Sequence, residues 1–186
     1  MVKIKPGSGF SITFFVFFAL FFLNLASAKN SYSDGQGPGK DAVLYPAYSF
    51  FESLKNNNYK KAWSLLTSAS KSFIVGRIKD SFVKNRVSTG RAEIRKNMKT
   101  GGYIARAYWG GFLKSFNPDM LLKYSTWKIK SVGSGSAEIE IKYRYAKAPA
   151  FLKEYRQDGG WKFGLTETFY QRLLMRKIAK NVINKF

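Results

Sequence analysis

Ala137-Glu138-Ile139-Glu140-Ile141-Lys142-Tyr143-Arg144-Tyr145 alternates apolar and charged residues without a break. In an extended chain successive side chains point to opposite faces. Ala137, Ile139, Ile141, Tyr143 and Tyr145 therefore share one side, and Glu138, Glu140, Lys142 and Arg144 the other. This pattern predicts a half-buried antiparallel strand. Upstream, residues 125–132 set Trp127 and Ile129 against Lys128 and Lys130, and Gly133-Ser134-Gly135-Ser136 turns the chain. Downstream, residues 151–157 form a third strand and residues 161–167 a fourth, joined by the hairpin signal Asp158-Gly159-Gly160.

Before Leu122 the apolar period is near 3.6 rather than 2. Asp41 is placed to cap a first helix that carries Val43, Ala47, Phe50, Phe51 and Leu54. Pro46 is tolerated there only within the first turn. Asn56-Asn57-Asn58 stops that helix, and Asn58 caps a second over residues 59–66. Thr67 caps a third that runs to about Arg86, with Ile74, Ile78 and Phe82 on one face. Residues 87–102 read as a basic loop holding at most one short helix, over 91–98. A further helix over 103–116 is weakened by Gly110-Gly111, and Asn117-Pro118-Asp119 reads as a turn. The last expected helix covers residues 168–185. Tyr170, Leu174, Ile178 and Val182 fall on one side of it, and Arg172, Arg176 and Lys180 on another. Helices first and a strand meander after make an α+β domain: N-terminal helices on a four-stranded, mainly antiparallel sheet, with an added basic amphipathic helix at the end. There is no internal repeat.

The N-terminus is an export signal by its pattern. Lys3 and Lys5 precede an apolar run from Ile12 to Leu25, and Ala26-Ser27-Ala28 supplies a small-x-small cleavage site. Residues 1–28 are thus expected to be removed and residues 29–40, rich in Ser, Gly and Asn, to form a flexible linker. That leaves residues 41–186 as a single domain, exported to the periplasm or secreted. The alternative is an uncleaved anchor, although the run falls short of the roughly 20 residues that span a bilayer.

Composition narrows the chemistry. The chain has no Cys and no His, which removes disulfides, the usual zinc, copper and haem ligands, the thiol nucleophile and the commonest general base. No cofactor is expected. The formal net charge is +21, and loss of Lys3 and Lys5 leaves +19. Such a field draws in polyanions. For an exported protein these are an anionic membrane surface, an acidic envelope polymer or an acidic protein, and nucleic acid is not expected.

Phe50-Phe51-Glu52-Ser53-Leu54 followed by Asn58-Tyr59-Lys60-Lys61-Ala62-Trp63-Ser64-Leu65-Leu66 resembles the opening of the nuclear-transport-factor-2-like (cystatin-like) superfamily. Asp158-Gly159-Gly160-Trp161-Lys162-Phe163-Gly164-Leu165 resembles that superfamily's closing strand. The resemblance covers roughly residues 41–85 and 123–167. It implies a curved sheet wrapped around helices as a cone with a pocket, and sheets that pair face to face in a homodimer. It fixes no single function, since the superfamily holds isomerases, dehydratases and non-catalytic binding modules. The insertion at about 86–122 and the C-terminal helix depart from its minimal pattern, and both are basic.

The site residues follow from these points. Arg77, Lys84, Arg86, Arg91, Arg95, Lys96 and Lys99 form a basic stretch against only Asp80 and Glu93, and Arg172, Arg176 and Lys180 extend it. These are the expected anion- and surface-binding residues. Trp63, Trp127, Tyr143, Trp161 and Phe163 are the expected pocket lining, which would let the domain carry a small apolar or lipid-like ligand. For catalysis no base, donor and closed pocket assemble. Glu138 and Glu140 read as cross-strand partners of lysines, Asp80 as an exposed ion-pair member, Asp119 as turn chemistry, and Glu154 and Glu167 as single acids on strand edges. The leading expectation is a non-catalytic exported binding or accessory domain; a hydratase- or isomerase-type enzyme is the remaining alternative.

Overall fold

The computed structural model describes residues 42–169. The leader at 1–28, the linker at 29–40, the Asp41 cap and the chain beyond Phe169, with Arg172, Arg176 and Lys180, lie outside the described residues. Among the described residues six helices come first: α1 Tyr45–Lys55, α2 Tyr59–Ser64, α3 Ser68–Lys84, α4 Arg91–Thr100, α5 Tyr103–Leu113 and α6 Pro118–Tyr124. Four strands follow: β1 Ser125–Val132, β2 Ser136–Tyr143, β3 Ala150–Gln157 and β4 Gly160–Phe163. They pair in sequence order, each pair antiparallel. The domain is α+β.

Local chemistry sets most boundaries. Pro46 sits in the first turn of α1, where its missing N–H is no loss. Asn57 leaves α1 at φ 56, and Asn58 N–H donates back to Ser53 O. Asn58 Oδ1 then accepts from Lys61 N–H, and Thr67 Oγ1 from Ser70 N–H, so both expected caps are in place. Asp158 and Gly159 take φ values of 53 and 75, as the tight turn between β3 and β4 requires.

The segment 86–122 differs from its expectation. It holds three helices: the short one allowed over 91–98 runs on to Thr100, the one expected over 103–116 ends at Leu113, and the expected turn at 117–119 opens a third. Gly101, at φ 70, ends α4, and Asn97 Oδ1 accepts from Ile104 N–H at 2.8 Å to start α5. Asn117 is a helix cap, not a turn residue: its Oδ1 accepts from Met120 N–H, and Pro118 opens α6. Gly110 stays helical because Trp109 and Phe112 beside it are buried, and tertiary packing outweighs propensity.

The core lies between α1 and the sheet. Phe50 packs on Phe51, Trp109 and Phe163 with ring centroids 5.1, 5.6 and 5.2 Å apart. Ile129, Ile139 and Leu152 lie in register across β1, β2 and β3. Beyond β4, Phe163 N–H donates to Leu65 O and Thr67 N–H to Phe163 O. The segment between α2 and α3 thus pairs with β4 in parallel. The fourth strand ends at Phe163, earlier than expected, and residues 165–169 are already helical.

Candidate anion-binding face and its buried acids

The basic stretch is carried by α3, α4 and the corner between them. On α3, Ile74, Val75 and Ile78 face the core, which leaves Arg77 and Lys84 exposed. Arg86 occupies the corner at φ 57. On α4, Ile94 and Met98 are the buried pair, one turn apart. Arg91, Arg95 and Lys99 step along a different line, with Lys96 beside it, and all four are exposed. None of these seven bases forms an ion pair among the described residues; the pairs present are Lys55–Asp119, Lys61–Glu52 and Lys130–Glu138.

The seven do not form one point site. The Arg77 charge acts on the buried Tyr108 hydroxyl of α5, whose pKa burial drives upward. Arg95 and Lys162 instead both act on Lys71; Lys71 and Lys162 are bases absent from the expected set. Burial, then the Lys162 charge, lowers the Lys71 pKa; the Asp158 charge opposes this and Arg95 adds to it. Lys162 Nζ also donates to Ser64 O at 3.1 Å.

An open groove of about 370 Å³ lies between the α1–α2 corner and the α4–α5 corner. It is lined by Asn57, Asn58, Tyr59, Lys60, Thr100, Gly101 and Arg106. Lys60 and Arg106 are its charged members, both exposed. Sequence reading did not single them out, because nothing local pairs two bases so far apart along the chain.

The aromatic residues expected to line a pocket are dispersed. Trp63 and Phe163 are core residues, at 4% and 0% exposure. Trp127 is half-buried and packs edge-on against Tyr48 and Phe51. Tyr143 meets Tyr145, and Trp161 lies under the Arg156 guanidinium at 5.2 Å. None of the five borders the groove.

Two acids differ from their expected places. Glu154 lies on an inner strand, in phase with the core residues Ala150 and Leu152, and is 0% exposed. Its Oε1 accepts from Ala47 N–H in the first turn of α1 at 2.8 Å, and its Oε2 has no partner among the described residues. Burial pushes its pKa from 4.5 up to about 9, with the Ala47 hydrogen bond opposing, so the carboxyl is protonated at neutral pH. Glu167 lies beyond the strand. Its Oε1 accepts from Thr67 Oγ1 at 2.6 Å, and its Oε2 from Ser70 Oγ at 2.6 Å and Thr166 Oγ1 at 2.9 Å. A carboxylate at the start of α3 also complements the helix dipole.

The remaining acids are at the surface. Glu138 pairs with Lys130 at 3.4 Å, and Glu140 stands opposite Lys128. Asp119 meets Lys55, whose hydrogen bond holds its carboxyl below the usual range. Asp80 is exposed, with no ion pair among the described residues. No cluster of three metal-ligating side chains occurs among the described residues, and no helix there is long and apolar enough to cross a membrane. No family model matches the chain, and neither a curated protein nor a solved structure matches it.

Proposed function

We propose that this domain is a non-catalytic binding module, exported by its leader, that uses the α3–α4 face to engage an anionic envelope surface. One observation carries the reading: Lys84, Arg86, Arg91, Arg95, Lys96 and Lys99 are exposed on adjoining elements with no carboxylate paired to any of them among the described residues. Unpaired bases near an anionic surface each contribute about 1 kcal/mol, and the effect weakens with salt. The position of Glu154 favours binding over hydratase or isomerase chemistry. At 0% exposure it is closed to a substrate, and one of its oxygens is committed to a backbone N–H.

The test is flotation of the full chain with vesicles. Phosphatidylglycerol in phosphatidylcholine should retain the protein at about 50 mM salt and release it at about 300 mM. Pure phosphatidylcholine should not retain it. Replacing Arg91, Arg95, Lys96 and Lys99 by Gln should weaken retention at least about tenfold. Equal binding to both vesicle types, or no effect of salt, refutes the reading.

A further inference from the structure

The groove beside the basic face is built from two similar corners. In the first, α1 ends, Asn57 turns left-handed, and Asn58 caps α2. In the second, α4 ends, Gly101 turns left-handed, and α5 begins under the Asn97 cap. The corners are in contact: a Cβ on Gly101 would stand 3.5 Å from Lys60 N and 3.8 Å from Lys60 Cβ. Each corner brings one helix C-terminus and one helix N-terminus, so the partial charges of the helix ends offset each other. What remains is the full charge of Lys60, in the first turn of α2, and of Arg106, in the first turn of α5. No acid lines the groove.

The polar residues between these charges are also arranged to donate. Asn57 Oδ1 accepts from Tyr59 Oη–H, and Asn58 Oδ1 accepts from Lys61 N–H. Their oxygens are used internally, which leaves the two Nδ2 groups as donors. Thr100 Oγ1 donates to Lys96 O, so it meets a ligand as an acceptor. Guanidinium, ammonium and carboxamide donors around one hydroxyl acceptor suit a phosphate on a hydroxyl-bearing carrier.

We propose that this groove, which Lys60 and Arg106 both line, is a binding site for a phosphate group carried by a glycerol or sugar moiety. It rests on the reading of the domain as a binder of anionic surfaces, and it names the point at which one headgroup is held. Arg106 takes two phosphate oxygens with its planar fork, Lys60 supplies a point charge, and Thr100 accepts from a carrier hydroxyl.

The experiment is an amide chemical-shift titration of the full chain with inorganic phosphate and, separately, with glycerol 1-phosphate, repeated on Lys60→Gln/Arg106→Gln. Both positions are exposed, so the double variant keeps the fold. Saturable shifts confined to residues 57–60, 100–102 and 106, weakened at least about tenfold in the double variant, support the site. Tighter binding of glycerol 1-phosphate than of inorganic phosphate supports the carrier and its Thr100 contact, and equal binding overturns that part in favour of the free anion. Shifts that spread over Arg91, Lys96 and Lys99 without saturating, or a double variant that titrates like the parent, overturn it. The vesicle assay separates the two claims. If the double variant floats like the parent while the α4 variant does not, the groove fails and the face stands. If the parent chain itself does not float, the face reading fails, whatever the titration shows.

Discussion

Replacing Glu154 by Gln should change how stability depends on pH. The folded protein holds a proton on this carboxyl up to about pH 9, whereas the unfolded chain releases it near 4.5. Between those values the folded state binds more protons than the unfolded state, so its stability falls as pH rises. The contribution is fully present below about 4.5 and is lost by about 9. Each pH unit in that window removes about 1.4 kcal/mol. From pH ~5 to pH ~8 the parent should therefore lose about 4 kcal/mol relative to a variant that carries no proton there. Gln keeps the acceptor for Ala47 N–H but places an amide N–H2 in the core, at a cost of about 1–3 kcal/mol. The variant should be the weaker protein near pH 5 and the stronger one near pH 8, with a crossing between. Urea unfolding followed by fluorescence of Trp63, Trp109, Trp127 and Trp161 reads both curves. Because all other titrating groups are common to the two proteins, their difference isolates Glu154. Parallel curves, with a constant gap from pH ~5 to pH ~8, would refute the reasoning.

Gly76, inside α3, has nothing within 4 Å of a Cβ built on it, so Gly76→Ala should stabilise by about 1 kcal/mol and raise Tm by a few degrees in calorimetry. Asn97→Ala removes the Oδ1 that accepts from Ile104 N–H and should cost about 1–2 kcal/mol, measured by urea unfolding. Gly101→Ala forces a side chain into φ 70 and should destabilise by about 1 kcal/mol while shifting the amide signals of the groove residues. Thr67→Ala loses both the α3 cap and the hydroxyl held by Glu167 Oε1, and should cost about 2 kcal/mol in the same unfolding assay.

The strands were legible because their signal is local. A two-residue alternation needs no knowledge of the rest of the chain, and β1 matches its expected bounds while β2 and β3 match to within two residues. The Asn58 and Thr67 caps are local as well. The helices of 86–122 were harder to read. α4 has only Ile94 and Met98 facing the core, too few to set a period, and its end is fixed by Gly101 packing on Lys60. Glu154 shares the phase of Ala150 and Leu152, which did signal an inward side chain. What makes its burial tolerable, the start of α1, lies 107 residues away and carries no local mark. The basic stretch was legible as composition. That Lys60 and Arg106 line one groove, and that Arg95 and Lys162 both act on Lys71, appears only once the helices pack.

The two margins of the sheet are finished differently. At β4 the backbone of Leu65 and Thr67 takes up the outward N–H and C=O of Phe163. At β1 the ladder to β2 slips between Ile129 and Ser131, and Lys128 and Lys130 are exposed along the strand. An incoming strand from a second molecule would find one margin occupied at Phe163 and the other bent out of register, so neither offers a straight ladder to extend. Crowding such domains on a polyanion, which raises their local concentration, should therefore leave them as separate folded units rather than seeding a fibre.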